Sequence, residues 1–205
     1  MTTNPIEETL VDVRRAFRLL HDYQRCSLDL VRYISTQLGF LESNGVPVFT
    51  DRPPSRDKID LGASAWNWLN MFFYDFYFDR AEENLRLSIW LISDTGFYTS
   101  SHSAPRDTDV RTFAPAEQSG TKLGFLLYRS WPERFADRMS ERDVMRQFIE
   151  NDGKLPPELQ AAGILGKCCD FAECRDRRST DAVIDDLVAR AKRRKLPLVQ
   201  IRKAA

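Results

Sequence analysis

The chain has 205 residues, of which 42% are hydrophobic and 29% charged, with 30 basic side chains balanced by 30 acidic ones. That size and composition fit one soluble globular domain, and a formal net charge of +0 excludes a global field steering it to nucleic acid or a membrane surface. Thirteen Phe within an aromatic fraction of 11% imply a sizeable core.

The longest apolar runs, such as LSIWLI, fall far short of the ~20 residues that span a bilayer. The N-terminus, MTTNPIEETLVDVRR, is acidic first and lacks the apolar region of a signal peptide. The expectation is a cytoplasmic protein in which Cys26, Cys168, Cys169 and Cys174 are reduced thiols. The 23 Arg against 7 Lys suggest a GC-rich, bacterial genome more than a binding demand.

In chain order, the first predicted element is a long helix over 4–39. Asn4 suits its cap, Pro5 its first position, and Glu7 a capping-box carboxylate. Ile6, Leu10, Val13, Phe17 and Leu20 then form an apolar stripe, with Leu19, Tyr23, Cys26, Leu30 and Tyr33 beside it. The pattern runs to Leu38 and ends at Gly39. A straight helix of that span is ~50 Å long, so part of it is expected to pack elsewhere or to bend near Ser27.

Residues 43–64 read as a loop, broken by SNGVP, DRPPSRDK and LGAS. NMFFYDFYFDR (70–80) follows, with six aromatic rings in eleven positions. As a strand it puts Phe72, Tyr74, Phe76 and Phe78 on one face; a helical period through Trp66, Leu69, Phe73, Phe76 and Arg80 is also open. NLRLSIWLISD (84–94) and TKLGFLLYRS (121–130) alternate as strands. The 26 residues between them, 95–120, exceed the ~2 to 5 of an ordinary hairpin loop. Beyond Pro132, ERDVMRQFIEND is an amphipathic helix ended by Gly153, and LPPELQAAGI a second with a proline start. GKCCDFAEC reads as a strand, STDAVIDDLVARAKRRK as a well-capped final helix, and LPLVQI as one last edge strand.

Each candidate site has a plainer structural reading beside it. Aromatic strands can stack RNA bases, but the charges flanking this one, Asp75 and Asp79, would repel phosphate. Core burial is therefore favoured, with a partner-facing patch of Phe73, Tyr77, Trp90, Phe97 and Tyr98 as the functional reading. Asp75, Asp79 and Asp94 could serve a metal-dependent phosphodiesterase, although neither strand carries a carboxylate two residues before a lysine. Cys168, Cys169 and Cys174 lack the second ligand pair of structural zinc. A cysteine nucleophile would need His102, since the only other histidine is His21. Phosphate loops and the common hydrolase signatures are absent. From Arg175 to Lys203 ten basic residues stand against four acidic ones. There Arg190, Lys192, Arg193, Arg194 and Lys195 either complement the end of a helix dipole or meet an acidic partner.

The sequence thus predicts a single α+β domain over 1–205. Its core is a small, mainly antiparallel sheet over 65–130, packed by the N-terminal helix and a helical C-terminal region, 138–205, with a basic end. The expected function is that of a non-enzymatic bacterial interaction protein: a sensor, adaptor or accessory factor acting through a protein partner or self-association. A place in phage defence is compatible with it, although no residue argues for that specifically. The alternatives are a metal-dependent phosphodiesterase or nuclease and a nucleic-acid binder using the C-terminal basic helix. No cofactor is implied.

Overall fold

A computed structural model describes residues 5–40, 44–48, 73–96, 113–131, 141–151 and 153–198. Helix α1 (Pro5–Gln37) leads into strands β1 (Asn44–Val48), β2 (Phe73–Arg80), β3 (Leu85–Ile92) and β4 (Lys122–Tyr128). Helices α2 (Glu141–Glu150) and α3 (Pro157–Ala161), strand β5 (Leu165–Asp170) and helix α4 (Arg177–Arg193) complete the order. The strands form one five-stranded sheet in sequence order, each antiparallel to its neighbour. The α+β class predicted from the sequence is the class observed.

The sheet is wider than the span 65–130 at both edges. β1 lies inside the stretch read as a loop, where Gly45 and Pro47 mask the strand signal; proline is tolerated in an edge strand, and β1 is an edge. The opposite edge, β5, is the strand read in GKCCDFAEC, and it joins the sheet from within the region assigned mainly to helices. Leu196, Pro197 and Leu198 form no strand, so the described part of the expected last edge strand is absent. A strand, not a helix, is the conformation of Phe73–Arg80.

Strand alternation splits the sheet's side chains into two cores. On the first face Phe76 pairs across to Ile89, Ile89 to Phe125, and Phe125 to Lys167. This face packs against Val31 and Ile34 of α1, Leu38 just past its end, and Val183, Ile184, Leu187 and Ala191 of α4. On the second face Trp90, Ile92, Leu126 and Tyr128 meet Val144, Phe148 and Ile149 of α2, together with Leu155, Leu159 and Ile164. β3 is therefore buried along almost its whole length, unlike an antiparallel strand with one wet face. The pattern LRLSIWLI reflects this, since apolar residues occupy both of its faces toward the C-terminal end.

α1 is one continuous helix with no break at Ser27, which is itself buried. It ends at Gly39, whose φ of 78° suits glycine. The last helix is held at its start by Asp176, whose carboxylate accepts from the Ser179 amide at 2.8 Å. Arg80 joins the segment after α1 to the segment after α4: its guanidinium lies 5.1 Å from the Phe40 ring centroid and donates to the Pro197 carbonyl.

The long connection between β3 and β4, residues 93–121, is closed at its base. The Thr95 amide donates to the Gly120 carbonyl at 3.0 Å, and the Gly120 amide donates to Thr95 Oγ1 at 2.8 Å.

Candidate functional site

The apolar stripe of α1 has two fates. Continued in steps of three and four, it runs Ile6, Leu10, Val13, Phe17, Leu20, Gln24, Ser27, Val31, Ile34, Leu38. Its last four members are 4% exposed or less, and three of them belong to the first core. Its first four are exposed by 68%, 44%, 43% and 64%. The change occurs where α1 lands on the sheet: Tyr23 donates to Ser93 Oγ at 3.0 Å, and Gln24 Nε2 donates to the Tyr74 hydroxyl at 2.7 Å. Residues 5–19 thus overhang the body by ~22 Å of helix.

Ordinary surface helices do not keep a row of large apolar side chains in water, and a contiguous patch of this kind marks an interaction surface. The polar side chains around the overhang are mixed in sign, three acidic (Glu7, Glu8, Asp12) and three basic (Arg14, Arg15, Arg18). Arg14 reaches Glu7 at 3.4 Å and Arg15 reaches Asp12 at 3.0 Å. The spacing of this stripe is readable in the sequence. Its exposure is not, because the same spacing continues into the buried half.

The aromatic residues predicted to face a partner fall elsewhere. Trp90 is fully buried in the second core, which removes it from any partner surface. Tyr77 is half-buried with the Arg86 guanidinium 5.6 Å from its ring centroid. β2 includes Phe73, and Phe97 and Tyr98 lie outside the described residues. Of the aromatic run, Phe76 and Phe78 are buried in the first core, and Tyr74 stacks on Phe76.

The three candidate metal ligands do not converge. Asp79 is engaged by Arg86, which bonds both carboxylate oxygens at 2.7 and 2.9 Å; this partner raises the guanidinium's proton affinity further. Asp94, past the far end of β3, accepts from the Gly96 amide at 2.7 Å. Asp75 sits in mid-strand opposite Trp90. Among the described residues no three His, Cys, Asp or Glu side chains group as metal ligands.

The three C-terminal cysteines divide between the two cores. Cys168 is half-buried beside the second core, whereas Cys169 and Cys174 are buried in the first. Their thiols hydrogen-bond; this bond and burial push Cys169 up, and the same bond holds Cys174 down against burial. His102 lies outside the described residues, and His21 is exposed beside Asp22 on α1.

The basic end of α4 is partly consumed by the fold. Arg194 donates to the carbonyls of Gln160 at 3.0 Å and Ile164 at 3.3 Å, locking α4 onto the α3 turn. Arg190 bonds Asp186 at 2.9 Å, and that carboxylate also accepts from buried Lys167 at 2.6 Å. Burial alone would raise the Asp186 pKa, but Lys167 and Arg190 outweigh it and hold the carboxyl below its ordinary value. Lys192, Arg193 and Lys195 remain exposed.

Among the described residues no helix is long and apolar enough to cross a membrane. No curated protein and no solved structure matches the chain. The PM0109 family matches residues 3–196, nearly the whole length, and the chain belongs to that family.

Proposed function

We propose that this protein is a non-enzymatic interaction module of the bacterial cytoplasm, an adaptor or accessory factor, and that the overhang of α1 is its contact surface. The observation that carries this reading is the exposure of Ile6, Leu10, Val13 and Phe17 on a stripe whose continuation is core. Among the described residues, Asp79 is held by Arg86 and buried Lys167 by Asp186, structural pairings that support a binding role over chemistry.

The test is stripe-dependent association. Leu10→Asp and Phe17→Asp should leave the far-ultraviolet spectrum and the unfolding midpoint of the dilute, monomeric chain unchanged. Both should abolish association, read by sedimentation and by affinity capture from the native host. Association that survives both substitutions would remove α1 as the contact surface.

A further inference from the structure

The stripe also specifies what covers it, and this step rests on the interaction reading above. We propose that its occupant is a second copy of the same chain, antiparallel, with the two-fold axis passing between Leu10 and Val13.

Three observations lead there. The spacing of the exposed members, four, three and four residues, is compatible with the seam of a two-stranded coiled coil. An axis between Leu10 and Val13 sets Leu10 beside the partner's Val13 and Ile6 beside the partner's Phe17, pairing a larger with a smaller side chain at each level. The same register overlaps the two overhangs along their full length. It ends near Leu20, just before Tyr23 and Gln24 join the sheet.

Charge selects the orientation. Glu7 and Arg14 are one heptad apart and flank the seam on the same side. In an antiparallel pair that side meets its own equivalent, so Glu7 faces the partner's Arg14 and Arg14 faces the partner's Glu7. This is the self-complementarity a two-fold interface requires. A parallel pair would instead set Thr9 against Arg14 and Ala16 against His21, with no opposite charges matched. The balanced charge of residues 5–19 argues against an anionic membrane surface, where a basic polar face is the rule.

The experiment uses the full chain. Sedimentation equilibrium through the micromolar range should give a mass approaching twice the 23.8 kDa of one chain. Glu7→Arg and Arg14→Glu should each weaken self-association by about tenfold, because each turns both reciprocal attractions into repulsions. An equimolar mixture of the two variants should associate again, since every facing pair is then opposite in sign. Loss of the contact within one helix cannot produce that rescue. In a Cys26→Ser background, Ile6→Cys should cross-link to Phe17→Cys on the other copy and not to itself.

Self-cross-linking of Ile6→Cys, or a mixture that stays monomeric, would overturn the antiparallel pair. A chain that stays monomeric yet captures a host protein through the stripe, or binds phosphatidylglycerol vesicles through it, would overturn the second copy. Capture of a host protein in that way would leave the interaction reading standing. A monomer whose capture ignores the stripe would remove both.

Discussion

Gln24 donates from Nε2 to the Tyr74 hydroxyl at 2.7 Å, at the point where α1 passes from overhang to core. The bond is half-buried and lies next to a second contact of the same kind, Tyr23 to Ser93. Together they join the middle of α1 to both β2 and the end of β3. Gln24→Ala should cost ~1 kcal/mol and Tyr74→Phe a similar amount, as is usual for one intramolecular hydrogen bond. Urea unfolding of the single and double variants should show non-additivity, because each substitution alone removes the same bond.

The two tyrosines also set an alkaline limit. Burial pushes the hydroxyls of Tyr23 and Tyr74 above the ordinary value of 10.0, against the lowering effect of their partners Ser93 and Gln24. A group whose pKa is higher in the fold than in the unfolded chain gives stability that is complete below the unfolded pKa and is lost as pH rises through the folded one. Stability should therefore hold to about pH 10 and fall above it. Tyr74→Phe should flatten that decline, measured as the unfolding midpoint against pH.

Lys167 and Asp186 govern the acid side. Lys167 projects from β5 into the first core at 9% exposure, and Asp186 on α4 supplies its countercharge. Asp186→Asn leaves that ammonium buried with no carboxylate opposite. The expected loss is about 1–3 kcal/mol, between the cost of breaking an exposed pair and a fully buried one, because Asp186 is itself 38% exposed. The Asp186 pKa is lowered in the fold, so the pair's contribution is present above the ordinary carboxylate value of 3.8 and is lost as pH falls through the folded pKa. The Asn variant should lose stability less steeply on acidification than the parent.

Gly166 shows why β5 can sit where it does. A Cβ there would lie 2.8 Å from Leu155 Cδ1 and from Phe148 Cε2, so α2 packs directly over bare backbone. Gly166→Ala should cost about 1–3 kcal/mol through overpacking. Gly153 is constrained twice, by a φ of 78° and by Cys168 Cβ at 2.9 Å from an added Cβ. Its substitution by Ala should be the more damaging of the two in a thermal melt.

Much of this architecture is legible where one period dominates. The long stripe of α1, the alternation of β3 and β4, and the apolar side of α4 follow from burial on a fixed geometry. Mixed local chemistry hides the rest. Gly45 and Pro47 make β1 resemble a loop. Trp90 reads as available to a partner because its neighbours Ile89 and Leu91 already fill one face of β3, and nothing local shows that α2 covers the other. The basic run on α4 is visible as charge. That Arg194 is spent on Gln160 depends on a contact 34 residues away in the chain, which no local pattern records. The candidate site has the same character: spacing locates the stripe, and only the position of the sheet divides it.

That division gives the sharpest prediction. Ile34 and Leu10 belong to one series spaced by three and four residues, yet Ile34 is 0% exposed and Leu10 44%. Ile34→Ala should cost ~2–5 kcal/mol at any protein concentration, because it opens a cavity in the first core. Leu10→Ala should change the unfolding free energy of the dilute chain by no more than about 0.5 kcal/mol. At high protein concentration, association through the stripe adds stability by mass action, and there Leu10→Ala should lower the unfolding midpoint relative to the parent. Chemical denaturation of both variants at two protein concentrations separates these effects. Equal costs for the two substitutions under dilute conditions would mean that the overhang is part of the core, and the contact surface would have to be sought elsewhere.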